Sequence, residues 1–435
     1  MRQNVVALVD CVSFYVAVER IFHPSLYARP LIVLSNNDGN IVASSAEAQA
    51  IGLTRGMPYS HCRTIMKRHG VAVFSSNLAL YQDLSERVMR LLGEYAEVRN
   101  GRMQQEVYSI DECFLSLGHV PPEHLLEYTR RMQAAILQKT GISTRVGIAT
   151  TKILAKIAAL VAKRDAKHLN VVNLADVSER EIDAILATVA LEEIWGIGKQ
   201  RARRLEEQDM IFTAEMLKYR SPTRIRTILG VVGERVTYEL RGIACLPLEI
   251  GSKTKKGILT SRSFGRPIES CEELAEAIAH YTAIAAAKVR RQGSQATSLS
   301  IFVGTNPFDA AAPQYTNGAS QRLAFPTDFT PDLIAAALAL LREIYQPGFQ
   351  YKRAGVHVTE MRPHHVLQPD LFGAYSFERE AKKARLMAII DLINATMRHD
   401  VIWFGSQGIR RPWQAQARRR SLHYTTRWAE ILSVH

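Results

Sequence analysis

The sequence predicts a multidomain α+β chain, on three observations. At 435 residues it is long enough for several domains, and its 47% hydrophobic share is ample for packed cores. Short apolar β-type runs alternate with amphipathic helical stretches over residues 1–175, and again over 257–360. Between them, residues 176–245 carry helical patterns and little strand.

The elements follow in order. Val5 to Cys11 is a short apolar run with Asp10 near its end, and it reads as a buried strand. Leu31–Ser35 and Asn40–Ser44 read as two more strands. Asn36-Asn37-Asp38-Gly39 joins them, because these residue types tolerate positive φ. Ser45 caps a short helix, Ala46 to Ala50, which Gly52 ends. Residues 79–95 form a helix with Leu80, Leu84, Val88, Leu91 and Leu92 on one face. Glu106 to Leu117 reads as two strand arms around Asp111-Glu112. A helix over 125–138, a strand over 144–149 and a helix over 152–163 complete the first part.

In the helical stretch, Trp195-Gly196-Ile197-Gly198 is a tight turn between two helices. Further on, strands at 258–263, 298–303 and 355–359 and helices at 272–291 and 331–345 make two βαβ-like halves. Pro and Gly loosen 304–331, which is expected to be a long loop. Pro363, Pro369 and Gly373 mark 361–377 as a linker. A helix over 377–397 leads into an Arg-rich tail.

Composition narrows the function classes. The five cysteines stand singly, without CxxC spacing, which argues against a zinc ribbon or a secreted disulfide framework. No run of 18 apolar residues predicts a membrane span, and the first apolar run is too short for a signal peptide. The expectation is a soluble chain of a reducing compartment, such as the cytoplasm. Its formal charge is +13. Residues 1–120 hold 11 bases and 11 acids, so the whole excess lies in 121–435. Basic clusters stand at Lys199, Arg201, Arg203 and Arg204, at Lys218, Arg220, Arg224 and Arg226, and at Arg410, Arg411, Arg418, Arg419, Arg420 and Arg427. Such clusters suit a phosphate backbone, although each alone also fits a solvated surface.

Three carboxylates carry the chemistry. A strand-end Asp such as Asp10 is by itself usually a turn or cap residue. Asp111-Glu112 interrupts a β-prone run, Val107 to Leu115. Adjacent acids in a straight strand point to opposite faces, but a bend brings both to one sheet edge. Asp-Glu is a poorer turn former than Asp-Gly and a better holder of a hard cation. Three carboxylates near one edge match two-metal phosphoryl chemistry, with structural acids as the alternative.

Several strings together resemble the Y-family translesion DNA polymerases, and most closely their UmuC type. They are Val9-Asp10-Cys11-Val12-Ser13-Phe14-Tyr15, Tyr108-Ser109-Ile110-Asp111-Glu112, and Val146-Gly147-Ile148-Ala149 followed by Lys152, Lys156 and Lys163. LSNNDG at 34–39, AEAQAIG at 46–52, FSSN at 74–77, WGIG at 195–198 and SRSFG at 261–265 support them, in order along essentially the whole chain.

The resemblance implies a right-hand polymerase. Residues 1–22 and 79–175 would be the palm, 23–78 small fingers, 176–250 a helical thumb and 251–360 an α+β little finger. The linker at 361–377 and a partner-binding extension at 378–435 would follow. Asp10, Asp111 and Glu112 would hold two Mg²⁺, with the backbone carbonyl of Cys11 completing one shell. Tyr15 would be the steric gate against a ribose 2′-hydroxyl, with Phe14 packed beside it. Lys163 matches the family lysine that contacts the triphosphate, and Lys156 lies two helical turns earlier, near the same face. Ala46 and Gln49 stand where many members carry Tyr and Arg, which implies a weak fingers grip on the nucleotide.

The resemblance also implies partners. Gly196-Ile197-Gly198, Lys199 and Arg201 would form a helix-hairpin-helix tracking the backbone of primer–template DNA. Gln368, Leu371 and Phe372 resemble a sliding-clamp peptide. The extension would bind a processed UmuD-like dimer and a RecA filament. His364-His365 reads as surface histidine and Cys11 as a buried thiol. The expected function is error-prone translesion synthesis in the SOS response. The rivals are a catalytically silent DNA-binding accessory protein and another two-metal enzyme, a nuclease or nucleotidyl cyclase.

Overall fold

The computed structural model describes residues 4–164, 170–251, 254–364, 376–397 and 401–431. The chain divides into two compact units. One comprises Met1–Ser35, Gly39–Ser252 and Arg419–His435, the other Asn36–Asp38 and Lys253–Arg418.

The first unit opens with β1 (Val6–Cys11), α1 (Phe14–Phe22), β2 (Leu31–Leu34), β3 (Ile41–Ser44), α2 (Ala46–Ala50), α3 (Tyr59–Arg68), β4 (Ala72–Ser75) and α4 (Leu78–Gly93). It continues with a short ladder, β5 (Val98–Arg99) and β6 (Arg102–Met103), then β7 (Gln105–Val107), β8 (Glu112–Ser116), α5 (Leu125–Thr140), β9 (Thr144–Ala149), α6 (Lys152–Arg164) and β10 (Val171–Asn173). Four helices follow: α7 (Glu179–Ala187), α8 (Lys199–Asp209), α9 (Ala214–Tyr219) and α10 (Pro222–Leu240).

Strand β1 is the middle of a five-stranded sheet ordered β10-β9-β1-β8-β7. Its residues show why the run is apolar throughout. Ala7, Val9 and Cys11 pack with α1, α4 and α5, while Val6 and Leu8 pack with α6 on the other face. A sheet covered on both faces needs apolar residues at every position, not alternate ones. Gly147 of β9 lets α6 approach closely. A Cβ there would lie 2.2 Å from the Ala155 carbonyl oxygen and 2.3 Å from the Ala159 nitrogen. Helices α7–α10 share the apolar cluster of α6 through Leu186, Leu205, Leu217 and Val236, joined by Ile197 just before α8. Beneath it, the buried Lys152 ammonium pairs with Glu106 and donates to the Pro247 carbonyl at 2.9 Å.

A second sheet, ordered β3-β2-β4, covers the cluster Ile32, Leu34, Ile41, Ala48, Leu53, Cys62 and Met66. The Ser45 hydroxyl accepts from the Ala48 N–H at 3.2 Å, as the cap reading predicts. Helix α3 and strand β4 had no sequence assignment. α3 is largely solvated, and the four residues of β4 are too few for a period.

The second unit holds β11 (Gly257–Ile268), α11 (Cys271–Arg291), β12 (Ser294–Gly304), β13 (Thr316–Thr327), α12 (Thr330–Ile344), β14 (Tyr351–Thr359) and α13 (Phe377–Thr396). Its sheet runs β11-β14-β12-β13, with α11 and α12 packed on it. The expected loop over 304–331 is corrected here. Residues 316–327 form the edge strand β13, paired with β12 from Gly304↔Thr316 to Ala296↔Thr327. Its residues are mostly exposed or half-buried, so Gly318, Pro326 and the polar residues misled the local reading while long-range pairing fixed the strand. Trp413, beyond α13, is fully buried in this unit's core against Phe264 and Tyr281.

Candidate active site

The antiparallel pairing of β1 and β8 sets Asp10 directly opposite Glu112. Asp111 lies in the bend between β7 and β8, whose arms pair at Val107↔Cys113. Ser109 explains how Asp-Glu can follow a bend without glycine. Its hydroxyl accepts from the N–H groups of Asp111 (3.2 Å) and Glu112 (3.0 Å) and donates to Asp111 Oδ1 at 2.6 Å. The Asp111 carbonyl in turn accepts from the Cys11 N–H at 2.8 Å, tying the bend to the end of β1. Carboxylates from two distant stretches of chain thus reach one end of one sheet.

Crowding leaves its mark on Asp10. Burial, then the charges of Glu112 and Asp111, push its carboxyl up to about 6, while Arg145 and Lys163 pull the other way. Arg145 stands opposite Asp10 on β9, its Nη1 3.6 Å from Asp10 Oδ2. The Lys156 ammonium lies 3.0 Å from Glu112 Oε1 and 4.4 Å from the Tyr108 ring centroid. Among the described residues, no three His, Cys, Asp or Glu side chains form a ready-made metal cage. The donor set nonetheless fits a hard cation: oxygen ligands from adjacent strands, mutually repelling, with one proton affinity raised by burial and that repulsion. Mg²⁺ takes few carboxylates and completes its shell with substrate phosphates and water.

The aromatic pair follows immediately. Ser13 adopts φ 46° and turns the chain from β1 into α1. Phe14 is buried in the core beside the sheet, and Tyr15 is half-buried. The Tyr15 ring stacks on Tyr81 of α4, with centroids 4.4 Å apart and planes 21° apart. Burial and the Asp111 charge push the Tyr15 hydroxyl up, while Arg55 pulls it down, so both charges reach this ring. Ala46 and Gln49 are exposed on α2, and the Gln49 amide donates to the Ser44 carbonyl at 3.1 Å. Lys163 is exposed at the end of α6, near enough to act on Asp10.

The glycine turn is exposed at Gly196 and Gly198, and Ile197 is buried beneath it. A single 3₁₀ turn, Leu191–Glu193, precedes it where a helix was expected, and α8 follows with Gly198 as its N-cap. Gly196 has φ 93°, which its lack of a Cβ permits. Lys199 is exposed, and Arg201 bonds back to the Gly196 carbonyl at 2.6 Å. Trp195 Nε1–H donates to the Tyr108 hydroxyl at 2.9 Å, linking this turn to the β7–β8 arm.

Sequence reasoning missed Arg145, Ser109, Tyr81 and Arg55. Arg145 had a signal: it is the lone charge in the strand Thr144–Ala149, whose other residues are buried. Tyr81 and Arg55 had none, because their place beside Tyr15 depends on packing between distant segments. The clamp-like residues Gln368, Leu371 and Phe372 lie outside the described residues, as does His365. His364 stands 3.8 Å from Asp328. No described helix is long and apolar enough to cross a membrane.

Residues 9–160 match the impB/mucB/samB family model, 255–371 match that family's C-terminal domain, and 384–434 match a domain of unknown function. The chain is 37% identical to Protein UmuC of Salmonella typhimurium over 430 residues, covering 98% of this chain and 99% of that one. It is 36% identical to Protein SamB of the same species, and 28% identical to DNA polymerase IV of Moorella thermoacetica over 87% of this chain and 91% of that one. Among solved structures, a Y-family DNA polymerase chimera superposes with a TM-score of 0.66 at 22% identity, covering 82% of this chain and 99% of that one. An insertion ternary complex of Dbh DNA polymerase gives 0.54 over the same share of this chain. With the likeness running from end to end, the chain belongs to the impB/mucB/samB family, as a UmuC-type Y-family DNA polymerase.

Proposed function

We propose that this DNA-directed DNA polymerase extends primers opposite damaged template bases, with low fidelity, as part of the bacterial SOS response. The observation that carries the reading is the convergence of Asp10, Asp111 and Glu112 at one sheet end beside the Tyr15–Tyr81 stack. The reaction is attack of the primer 3′-hydroxyl on the α-phosphate of a deoxynucleoside triphosphate, with pyrophosphate leaving. The three carboxylates and the Cys11 carbonyl would hold two Mg²⁺, which would activate the attacking oxygen and neutralise phosphate charge.

The remaining roles belong to the chain itself. Lys163, exposed and acting on Asp10, would bind the triphosphate, and Lys156 would exchange its contact with Glu112 for one with phosphate. Phe14 is packed in the core beside Tyr15, and the Tyr15 ring would leave no room for a ribose 2′-oxygen. Ala46 and Gln49 bring no charge to the nucleotide, so its apparent KM is expected to be high. A loosely held nascent pair suits damage tolerance. The exposed turn at Gly196–Gly198 with Lys199 would follow the DNA backbone without reading sequence. Gln368, Leu371 and Phe372 would dock on a sliding clamp. The extension would meet a processed UmuD-like dimer and a RecA filament, in a nucleoid-associated setting.

Primer extension on intact and abasic templates with Mg²⁺ tests this, with the chain alone and with those partners. Extension is expected, and Asp111→Ala should abolish it. DNA binding without extension under any condition would leave an accessory protein instead. Cleaved DNA would point to a nuclease.

A further inference from the structure

The last stretch of the chain docks against the helix that carries Tyr15. The Ser75 N–H donates to the Arg419 carbonyl and the Arg419 N–H to the Ser75 hydroxyl, both at 3.0 Å. The tail thereby adds to the open edge of β4, bridging at Ser75↔Arg420. The Asn77 amide donates to the Ser421 carbonyl, the Ser421 hydroxyl and the Leu422 carbonyl, each at 3.1 Å. Tyr424 is buried and lies flat on Phe22 of α1, with centroids 4.5 Å and planes 12° apart. Its hydroxyl meets His23 Nε2 at 3.1 Å.

These contacts converge on one buried carboxylate. Glu19 of α1 is 0% exposed. Its Oε1 accepts from the Tyr81 hydroxyl at 2.7 Å and from the Ser421 hydroxyl at 3.0 Å. Among the described residues its Oε2 has no hydrogen-bond partner. A buried carboxylate is costly unless its hydrogen bonds are made, so Glu19 depends on these two hydroxyls. Tyr81 is itself buried, and its ring is the platform on which Tyr15 stacks. The tail residue Ser421 is therefore linked to the Tyr15 ring through a chain of contacts: Ser421 to Glu19, Glu19 to Tyr81, Tyr81 to Tyr15.

We propose that the segment from Arg419 to Ile431 is a built-in brace for the sugar gate, and that Ser421, Glu19 and Tyr81 are positioning residues that fix the Tyr15 ring. Docked, the segment holds α1 and α4 in register and keeps the ring where a 2′-hydroxyl would stand. Released, it leaves Glu19 short of a donor, frees Tyr81 and loosens the discrimination between deoxy- and ribonucleotides. This gives a role to the end of the stretch that matches a domain of unknown function. It rests on the reading of Tyr15 as the gate.

The test is equilibrium binding of a deoxynucleoside triphosphate and its ribonucleotide counterpart to the full chain on a dideoxy-terminated primer–template with Mg²⁺, which needs no turnover. Deuterium exchange of α1 and α4 is read on the same samples. Tyr15→Ala is expected to collapse the affinity ratio. Ser421→Ala and Tyr81→Phe, which keeps the ring stack, should each lower the ratio about three- to tenfold and speed exchange in α1. Glu19→Gln, which keeps an acceptor oxygen, should hold close to the wild-type ratio. An unchanged ratio in Tyr15→Ala would remove the gate reading, and the brace with it. A ratio that falls in Tyr15→Ala but not in Ser421→Ala or Tyr81→Phe would overturn the brace alone, whatever the exchange shows.

Discussion

Asp10 illustrates how a single residue trades stability for chemistry. Its carboxyl sits at about 6 rather than 3.8, because it is buried beside two other acids. The folded chain therefore holds that proton more tightly than the unfolded chain, and stability falls as pH rises through this window. Above it, the anion costs on the order of 3 kcal/mol in the metal-free protein, the rise from 3.8 to about 6 taken at about 1.4 kcal/mol per pH unit. Asp10→Asn should therefore melt higher than wild type at pH 7 in a chelator, lose that advantage near pH 4, and extend no primer. Thermal melts at the two pH values check it; an equal gain at both would show that charge crowding is not the cause. The same residue shows what was legible locally. An Asp ending an apolar strand and an Asp-Glu pair inside another are visible in the sequence, but Arg145 opposite Asp10 follows only from the register of β1 with β9.

At the level of elements, α6 is placed by what β9 lacks. A methyl at position 147 would overlap backbone atoms of Ala155 and Ala159, which cannot rotate away. Gly147→Ala is expected to destabilise the first unit by about 3 kcal/mol and to displace Lys156 from Glu112. Denaturant melts read the first effect, and a weakened triphosphate affinity reads the second. A variant as stable as wild type would show that α6 can move away from β9 at little cost. Amphipathic helices such as α4, α5 and α11 were readable, since each presents a periodic apolar face to a core. Strand β13 was not. An edge strand has a polar side, so nothing in its local pattern separates it from a loop until β12 supplies the hydrogen bonds.

Over the whole molecule, the charge balance sets how it meets DNA. The excess of bases lies beyond residue 120, and Lys199 and Arg418, Arg419 and Arg420 are exposed. Affinity for primer–template DNA should fall steeply with salt. Lys199→Ala should weaken binding evenly across sequences and reduce the logarithmic salt slope by about 1. A titration series between low and moderate salt checks this; an unchanged slope would take Lys199 off the DNA path. Charge also drew the Arg-rich tail toward a DNA reading at the sequence level. Between Arg419 and Ile431, its backbone and the side chains of Ser421 and Tyr424 pack within the first unit, and the side chains of Arg419 and Arg420 stay exposed.

The sequence by itself determined which faces are buried, where the acids interrupt apolar strands, and that the aromatic pair follows Asp10 closely. These are local properties, written in periods of two and 3.6 residues and in breaks from them. The tertiary structure alone decided that Arg145 faces Asp10, that Lys156 meets Glu112, that residues 316–327 pair as a strand, and that Ser421 reaches Glu19 across 402 residues of chain. Such contacts leave no local trace, because the partner that satisfies a charge or hydroxyl is chosen by register and packing between segments far apart in the chain.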